Sequence, residues 1–286
     1  LLRHEVLFVT AATHVPAPPV VLSIAGSDTS GGAGIQADLK TISACGAYAM
    51  TAITAITTQD PGGVRNVWPV SAEQLCDQIE AALAYRPAAI KIGMLANADL
   101  VNAVADILDS HPHIPLVLDT VIRSSSGAAL LDNAGIQILR ERLLPRATIV
   151  TPNRQEAREI FNDADEPTLQ NWTKKTGVVL LVTGGDSDLA LAGDARFCTD
   201  VLISDNIEHL TSSRVETQNH HGTGCTLSAA IASFIAHGFS LPEAVQYARQ
   251  FVQQALRAAT NQQWAGYGPL NHFFAFGKTV TPEIPL

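Results

Sequence analysis

The strongest constraint on the fold is a recurring order of buried strand, glycine-rich or polar strand end, and helix. Six apolar runs, at 20–25, 47–58, 88–92, 116–119, 148–150 and 178–183, are short and rich in Val, Ile and Ala. Runs of this kind read as strands covered on both faces, as in a parallel sheet flanked by helices. Helical patterns at 35–42, 71–85, 99–108 and 131–143 alternate with them, and a turn signal at 59–63 leads to a further short strand at 64–70. Strand-like pieces between 188 and 213 predict an antiparallel edge, and an amphipathic helix follows Leu241 until Gly266-Tyr267-Gly268-Pro269 breaks it. The expectation is a three-layer α/β/α sandwich around a mostly parallel sheet. Open sheets bind small molecules beyond the carboxyl ends of their strands, so the polar residues there are the candidates for chemistry.

With 286 residues, 47% of them hydrophobic, the chain can bury one large core, and one domain is favoured over two. Residues 1–19 read as an N-terminal extension, a candidate for disorder, and 20–286 as a single domain. A formal net charge of -9 argues against a surface for nucleic acid, which is held through many Lys and Arg contacts. No later apolar run reaches the roughly 18 residues of a membrane span, and Glu5 interrupts the basic end that a secretory signal would need. Cys45, Cys76, Cys198 and Cys225 are far apart in sequence and form no Cys-x-x-Cys pair, which fits a reducing cytoplasm.

His221-Gly222-Thr223-Gly224-Cys225-Thr226 precedes an apolar stretch that reads as a buried helix beginning near Cys225. A helix start presents unpaired N–H groups and partial positive charge, which suits a phosphate. A thiol there is expected to have a lowered pKa and to serve as acid/base; the alternative is a glycine turn with Cys225 as a small core hydrophobe. A second glycine loop, 26–34, follows the first strand; taken alone it could be only a tight turn. Gln59 at a strand end could read a heteroaromatic edge or be an exposed turn residue. Lys91 interrupts an apolar strand and either snorkels to an edge, the favoured reading, or serves a site. Asn153 and Glu156, three apart, could hold Mg²⁺, or be a helix cap with an acidic first turn. His111, His113, His220 and His221 make no persuasive metal set, and Gly277-Lys278-Thr279 lacks the first glycine of a P-loop.

From about Val20 onward the chain resembles the hydroxymethylpyrimidine/phosphomethylpyrimidine kinases of thiamine biosynthesis, within the ribokinase-like superfamily. The likeness is carried by Ala25-Gly26-Ser27-Asp28 with residues 30–40, by Lys91-Ile92-Gly93-Met94-Leu95, by Thr151-Pro152-Asn153 with Glu156-Ala157, and by residues 221–229. Cysteine after Gly-Thr-Gly is informative, because most ribokinase-like enzymes have aspartate there. The resemblance implies a ribokinase-like fold, a homodimer, and ATP- and Mg²⁺-dependent phosphorylation of the pyrimidine hydroxymethyl group, then of the monophosphate. It implies Cys225 as catalytic acid/base, with Gly222, Thr223 and Gly224 in the anion hole. It places Gly26, Asp28, Gln59, Met94 and Val121 at the pyrimidine, Thr151, Thr183 and Gly185 near ATP, and Asn153 and Glu156 at Mg²⁺. Thr183 and Ser125 stand where the family commonly has lysine, with Arg123 a candidate to compensate for one, and Asp60 stands for asparagine. The alternatives are a pyridoxal or pyridoxine kinase and a noncatalytic pyrimidine- or nucleotide-binding module.

Overall fold

The computed structural model describes residues 16–60, 62–124, 127–162, 165–185 and 196–276. Its centre is a nine-stranded sheet in the order β3-β2-β1-β4-β5-β6-β7-β8-β9. The strands are β1 Val20–Asp28, β2 Tyr48–Asp60, β3 Gly63–Pro69, β4 Ala89–Ile92, β5 Leu116–Leu118, β6 Ile149–Val150, β7 Val179–Val182, β8 Phe197–Ile203 and β9 Ile207–Ser213. Strands β2, β1, β4, β5, β6 and β7 run parallel. Antiparallel strands close both edges, β3 on one side and β8–β9 on the other, where the sequence reading had named a single antiparallel edge.

Alternation along each strand decides which layer covers it. Leu22 and Ile24 of β1 and Ile90 and Ile92 of β4 pack with helices α2 (Ala72–Leu83), α3 (Ala98–Asp109), α4 (Asn133–Ile138), α5 (Arg154–Phe161) and α6 (Glu166–Thr176). Val21, Ala89, Val117 and Ile149 face the opposite layer, built from α1 (Gly34–Ala44), α7 (Thr223–Ala236) and α8 (Leu241–Ala259). Each fully covered Leu or Ile contributes about 1.5–3 kcal/mol relative to exposure, so two such faces hold the sheet between them.

Helix α6 was not foreseen: apart from Leu169 and Thr173 its residues are not buried, so its apolar stripe is faint. The helix expected at 131–143 starts after Asp132, whose side chain caps Gly135 N–H, and passes into a π turn at Leu139–Leu143 before Pro145. Helix α7 begins two residues before Cys225, because Gly222 takes the left-handed conformation (φ 86°) as its N-cap. Among the described residues, no helix is long and apolar enough to cross a membrane. Residues 1–15, Ser125, Asp188 and Gly277-Lys278-Thr279 lie outside the described residues.

Candidate active site

Strand order reverses about β1, with β2 on one side and β4 on the other, and the crevice beyond the carboxyl ends of β1, β4 and β5 is the position such sheets use for ligands. Two glycine loops close over it. A side chain at Gly222 would collide with the carbonyl of Gly32, and one at Gly34 (φ 56°) with the carbonyl of Gly26. Glycine is therefore required where these backbones touch, and the touching seats loop 26–34 against the start of α7.

One end of the crevice is apolar. Met94, Ala55 and Leu130 form a small cluster with Val121 and Val64 against it, and a Cβ on Gly26 would stand 3.0 Å from Met94 Sδ. Thr54 Oγ1 donates to Met94 O at 2.7 Å and fixes that turn. Beside it, Asp28 Oδ2 accepts from Ser30 Oγ at 2.7 Å and Ala33 N at 2.8 Å, while Oδ1 accepts from Ser30 N at 2.8 Å. Burial alone would raise the Asp28 pKa, but bonds from His221, Ser30 and Ala33 outweigh it and hold the carboxyl at about 2. Gln59 is half-buried and meets His221, so the structure brings Gly26, Asp28, Gln59, Met94 and Val121 to one place. Asp60 pairs with Arg65 across the β2–β3 hairpin.

Beneath the start of α7 lies a charged network whose partners are far apart in the sequence. Lys91 is fully buried, and its Nζ is 2.9 Å from both oxygens of Asp38 and 3.8 Å from Asp119 Oδ2. Ser23 Oγ donates to Asp38 at 2.6 Å, and Ser228 Oγ donates to Asp119 at 3.1 Å. Burial opposes the charge on Lys91, but Asp38, then Cys225 and Asp119, overcome it and hold the ammonium above its ordinary range. Lys91 thus corrects the expectation of a snorkelling side chain: it pairs with Ser23 in register on the face of β4 under α1, where Asp38 waits.

Cys225 sits over this network and corrects a second expectation. Burial pushes its thiol up to about 12; Lys91 works the other way, but Asp119 and Asp38 add to the rise. Desolvation and two carboxylates exceed what a helix N-terminus supplies, so the thiol is protonated at neutral pH and hydrogen-bonds Asp119.

At the other end, Asn153 and Glu156 form a reciprocal capping box for α5: Glu156 N donates to Asn153 Oδ1 and Asn153 N to Glu156 Oε2, each at 2.9 Å. Burial, then the charge of Asp119, pushes Glu156 up to about 8. Among the described residues no three His, Cys, Asp or Glu stand together as a metal set. Asp119 and Glu156, whose charges oppose each other, nonetheless suit a cation with oxygen ligands completed by water and phosphate. Thr151 is buried with its hydroxyl unpartnered, and Thr183 bridges to Asn153. Gly184 N donates to Asp200 at 2.9 Å, and Gly185 is exposed, its carbonyl 3.4 Å from Arg214 Nη1. Arg123 is held by Glu159 at 3.3 Å. A separate groove of about 820 Å³ between α2 and α3 is lined by Glu73, Glu80, Asp99 and Asp106, a setting that repels phosphates.

Residues 28–271 match the family model described as phosphomethylpyrimidine kinase. A hydroxymethylpyrimidine/phosphomethylpyrimidine kinase from Salmonella typhimurium is 40% identical, over 89% of this chain and 97% of the relative. The crystal structure of phosphomethylpyrimidine kinase from Clostridium difficile 630 is similar with a TM-score of 0.70 and 35% identity, covering 83% of this chain and 99% of that one. The pyridoxal kinase from Staphylococcus aureus in complex with AMP-PCP and pyridoxal gives 0.79 and 30%, over 92% and 96%.

Proposed function

This chain belongs to the phosphomethylpyrimidine kinase family, and from that premise we propose that it phosphorylates 4-amino-5-hydroxymethyl-2-methylpyrimidine to the monophosphate and then to the diphosphate. It is a phosphotransferase of thiamine biosynthesis, and ATP is the phosphoryl donor its class uses. The observation that carries the reading is the seating of the Cys225 turn against loop 26–34, which sets the start of α7, where unpaired N–H groups suit a phosphate, beside the apolar cluster of Met94, Ala55 and Leu130.

Phosphoryl transfer needs alignment and charge stabilisation more than covalent help. Gly26, Met94 and Val121 would wall the pyrimidine, with Asp28 and Gln59 at its polar edge. The N–H groups of Gly222, Gly224 and Cys225 would receive the charge that develops on the transferred phosphoryl, with Thr223, whose N–H is donated to His220 O at 3.3 Å, closing the turn beside them. In the first step the hydroxymethyl proton passes to the Cys225 sulfur as the thiol proton passes to Asp119, so neither a free thiolate nor an extra proton is left. Thr151, Thr183 and Gly185 would border ATP. Glu156, with Asn153, would hold Mg²⁺, which when bound neutralises phosphate charge. The proposal includes a cytoplasmic setting, a single kinase domain over 20–286, and a homodimer covering Ile56 and Trp68, partners across β2 and β3 that are 56% and 62% exposed.

The test is transfer from Mg-ATP to hydroxymethylpyrimidine, following monophosphate and diphosphate separately, with pyridoxal in parallel. Both pyrimidine products are expected. The likeness to pyridoxal kinases favours that aldehyde alcohol as the second reading, and turnover of pyridoxal alone would establish it. No turnover of either would return the chain to a binding module.

A further inference from the structure

His221 precedes the anion hole, yet its ring faces the substrate end of the crevice. Its Nε2 is 2.9 Å from Asp28 Oδ2 and 2.9 Å from Gln59 Nε2, joining residues 193 and 162 positions away. The ring is fixed from three sides. His221 N donates to Gly268 O at 3.1 Å, the strand-like contact continues to Pro269, and Gly32 leaves room that a Cβ would fill at 2.5 Å from the ring. Gln59 is aimed at it by an irregularity in β2–β3 pairing between Thr58 and Gln59, the kind of bulge that redirects a side chain.

The contacts determine which atoms carry protons. Asp28 is an ionised carboxylate and only accepts, so a 2.9 Å contact requires a proton on His221 Nε2. An amide nitrogen of Gln59 at 2.9 Å from the same Nε2 would then face donor against donor. Turning the amide by half a rotation places its oxygen there, so that Asp28 Oδ2 and the Gln59 oxygen share the single Nε2–H as a three-centre bond and no donor faces a donor. We propose that His221 is a positioning residue that locks the Gln59 amide with its oxygen on the imidazole and its NH₂ toward the ligand, so that the pocket selects a ring presenting a hydrogen-bond acceptor. The inference rests on the proposed placement of the pyrimidine beside Gln59. A ring nitrogen without hydrogen satisfies that NH₂, whereas an oxo tautomer with N–H at the same edge meets it donor to donor.

Two measurements test the proposal. In the full-length protein, side-chain ¹⁵N–¹H correlation of His221 at neutral pH should show a protonated Nε2; the neutral form protonated on Nδ1 overturns the assignment, whatever the protein phosphorylates. In kinetics, His221→Ala should raise KM for hydroxymethylpyrimidine at least tenfold and leave KM for ATP within twofold. The His221→Ala/Gln59→Ala double variant should be no worse than the worse single variant, and His221→Gln, which restores a donor near the same position, should recover most of the loss. Multiplying single effects, or equal changes in both KM values, would show that His221 does not act through Gln59. If wild type leaves pyrimidine unphosphorylated, the functional reading fails while the spectrum still decides the proton and the amide.

Discussion

Lys91→Met tests the network under Cys225. The substitution keeps the length of the side chain and removes the only cation within 4 Å of Asp38 and Asp119 among the described residues. Breaking a buried ion pair by deleting one partner typically costs about 3–5 kcal/mol, because the other charge is left without compensation. At about 2 °C per kcal/mol for a chain of this size, the unfolding midpoint should fall by about 6–10 °C. The assay is thermal unfolding, with urea unfolding for the free energy, at fixed protein concentration, alongside Lys91→Met/Asp38→Leu, which removes the stranded carboxylate and should recover most of the loss. The pH dependence has a definite sign. In Lys91→Met the native pKa of Asp38 must exceed its unfolded value, so protonation favours the folded state and the penalty shrinks as pH falls from 7 toward 5. A penalty below about 1 kcal/mol, no recovery in the double variant, or a penalty that grows in acid would refute the account of Lys91 as the buried counter-ion.

Gly222→Ala forces a side chain into φ 86° and against the Gly32 carbonyl; it should cost about 1–3 kcal/mol and lower kcat/KM at least tenfold, measured by unfolding and by product formation. Cys225→Ala should cut the first phosphorylation by about 10²–10⁴-fold at saturating substrate, with little change in KM for ATP. Cys225→Asp should retain more of the first step than of the second, and equal rescue of both would refute the charge argument developed below. Glu156 has its pKa raised from 4.5 to about 8, so its favourable contribution is complete below about 4.5 and fades as pH rises through about 8. Without Mg²⁺, Glu156→Gln should therefore flatten the fall in stability over that interval while keeping the cap, and Mg²⁺ should stabilise wild type more than the variant.

The central sheet was legible because strands covered on both faces are continuous apolar runs, and the site loops because glycine and polar residues interrupt those runs at strand ends. What sequence did not display was pairing at a distance. Lys91 looked like an edge residue because its counter-ion, Asp38, is 53 positions away on α1; only the fold places both under α7. His221 heads the glycine turn in the sequence, but its partners do not show there, since Asp28 and Gln59 reach it from separate strand ends. A usable signal was present in Gly32, whose lack of a side chain makes room for the ring. The expected low pKa of Cys225 counted the helix start and omitted desolvation, which is the larger effect here.

That omission bears on why a thiol occupies the position. Lys91 is neutralised by Asp38, so its field at Cys225 is largely spent, and Asp119 adds negative potential from the same side. Under those conditions a carboxylate at 225 would be one more anion, whereas a thiol near 12 is neutral until its proton moves. For an alcohol nucleophile the distinction is small, because the substrate arrives uncharged. For the monophosphate it is large: two unit charges 4 Å apart repel by about 4 kcal/mol at an effective dielectric of about 20, roughly a thousandfold in rate. The phosphate nucleophile of the second step has no alcohol proton to surrender, so it asks only that residue 225 not oppose it. On the proposed mechanism a half-buried, protonated cysteine would satisfy both steps: it would relay a proton to Asp119 in the first and stay uncharged in the second.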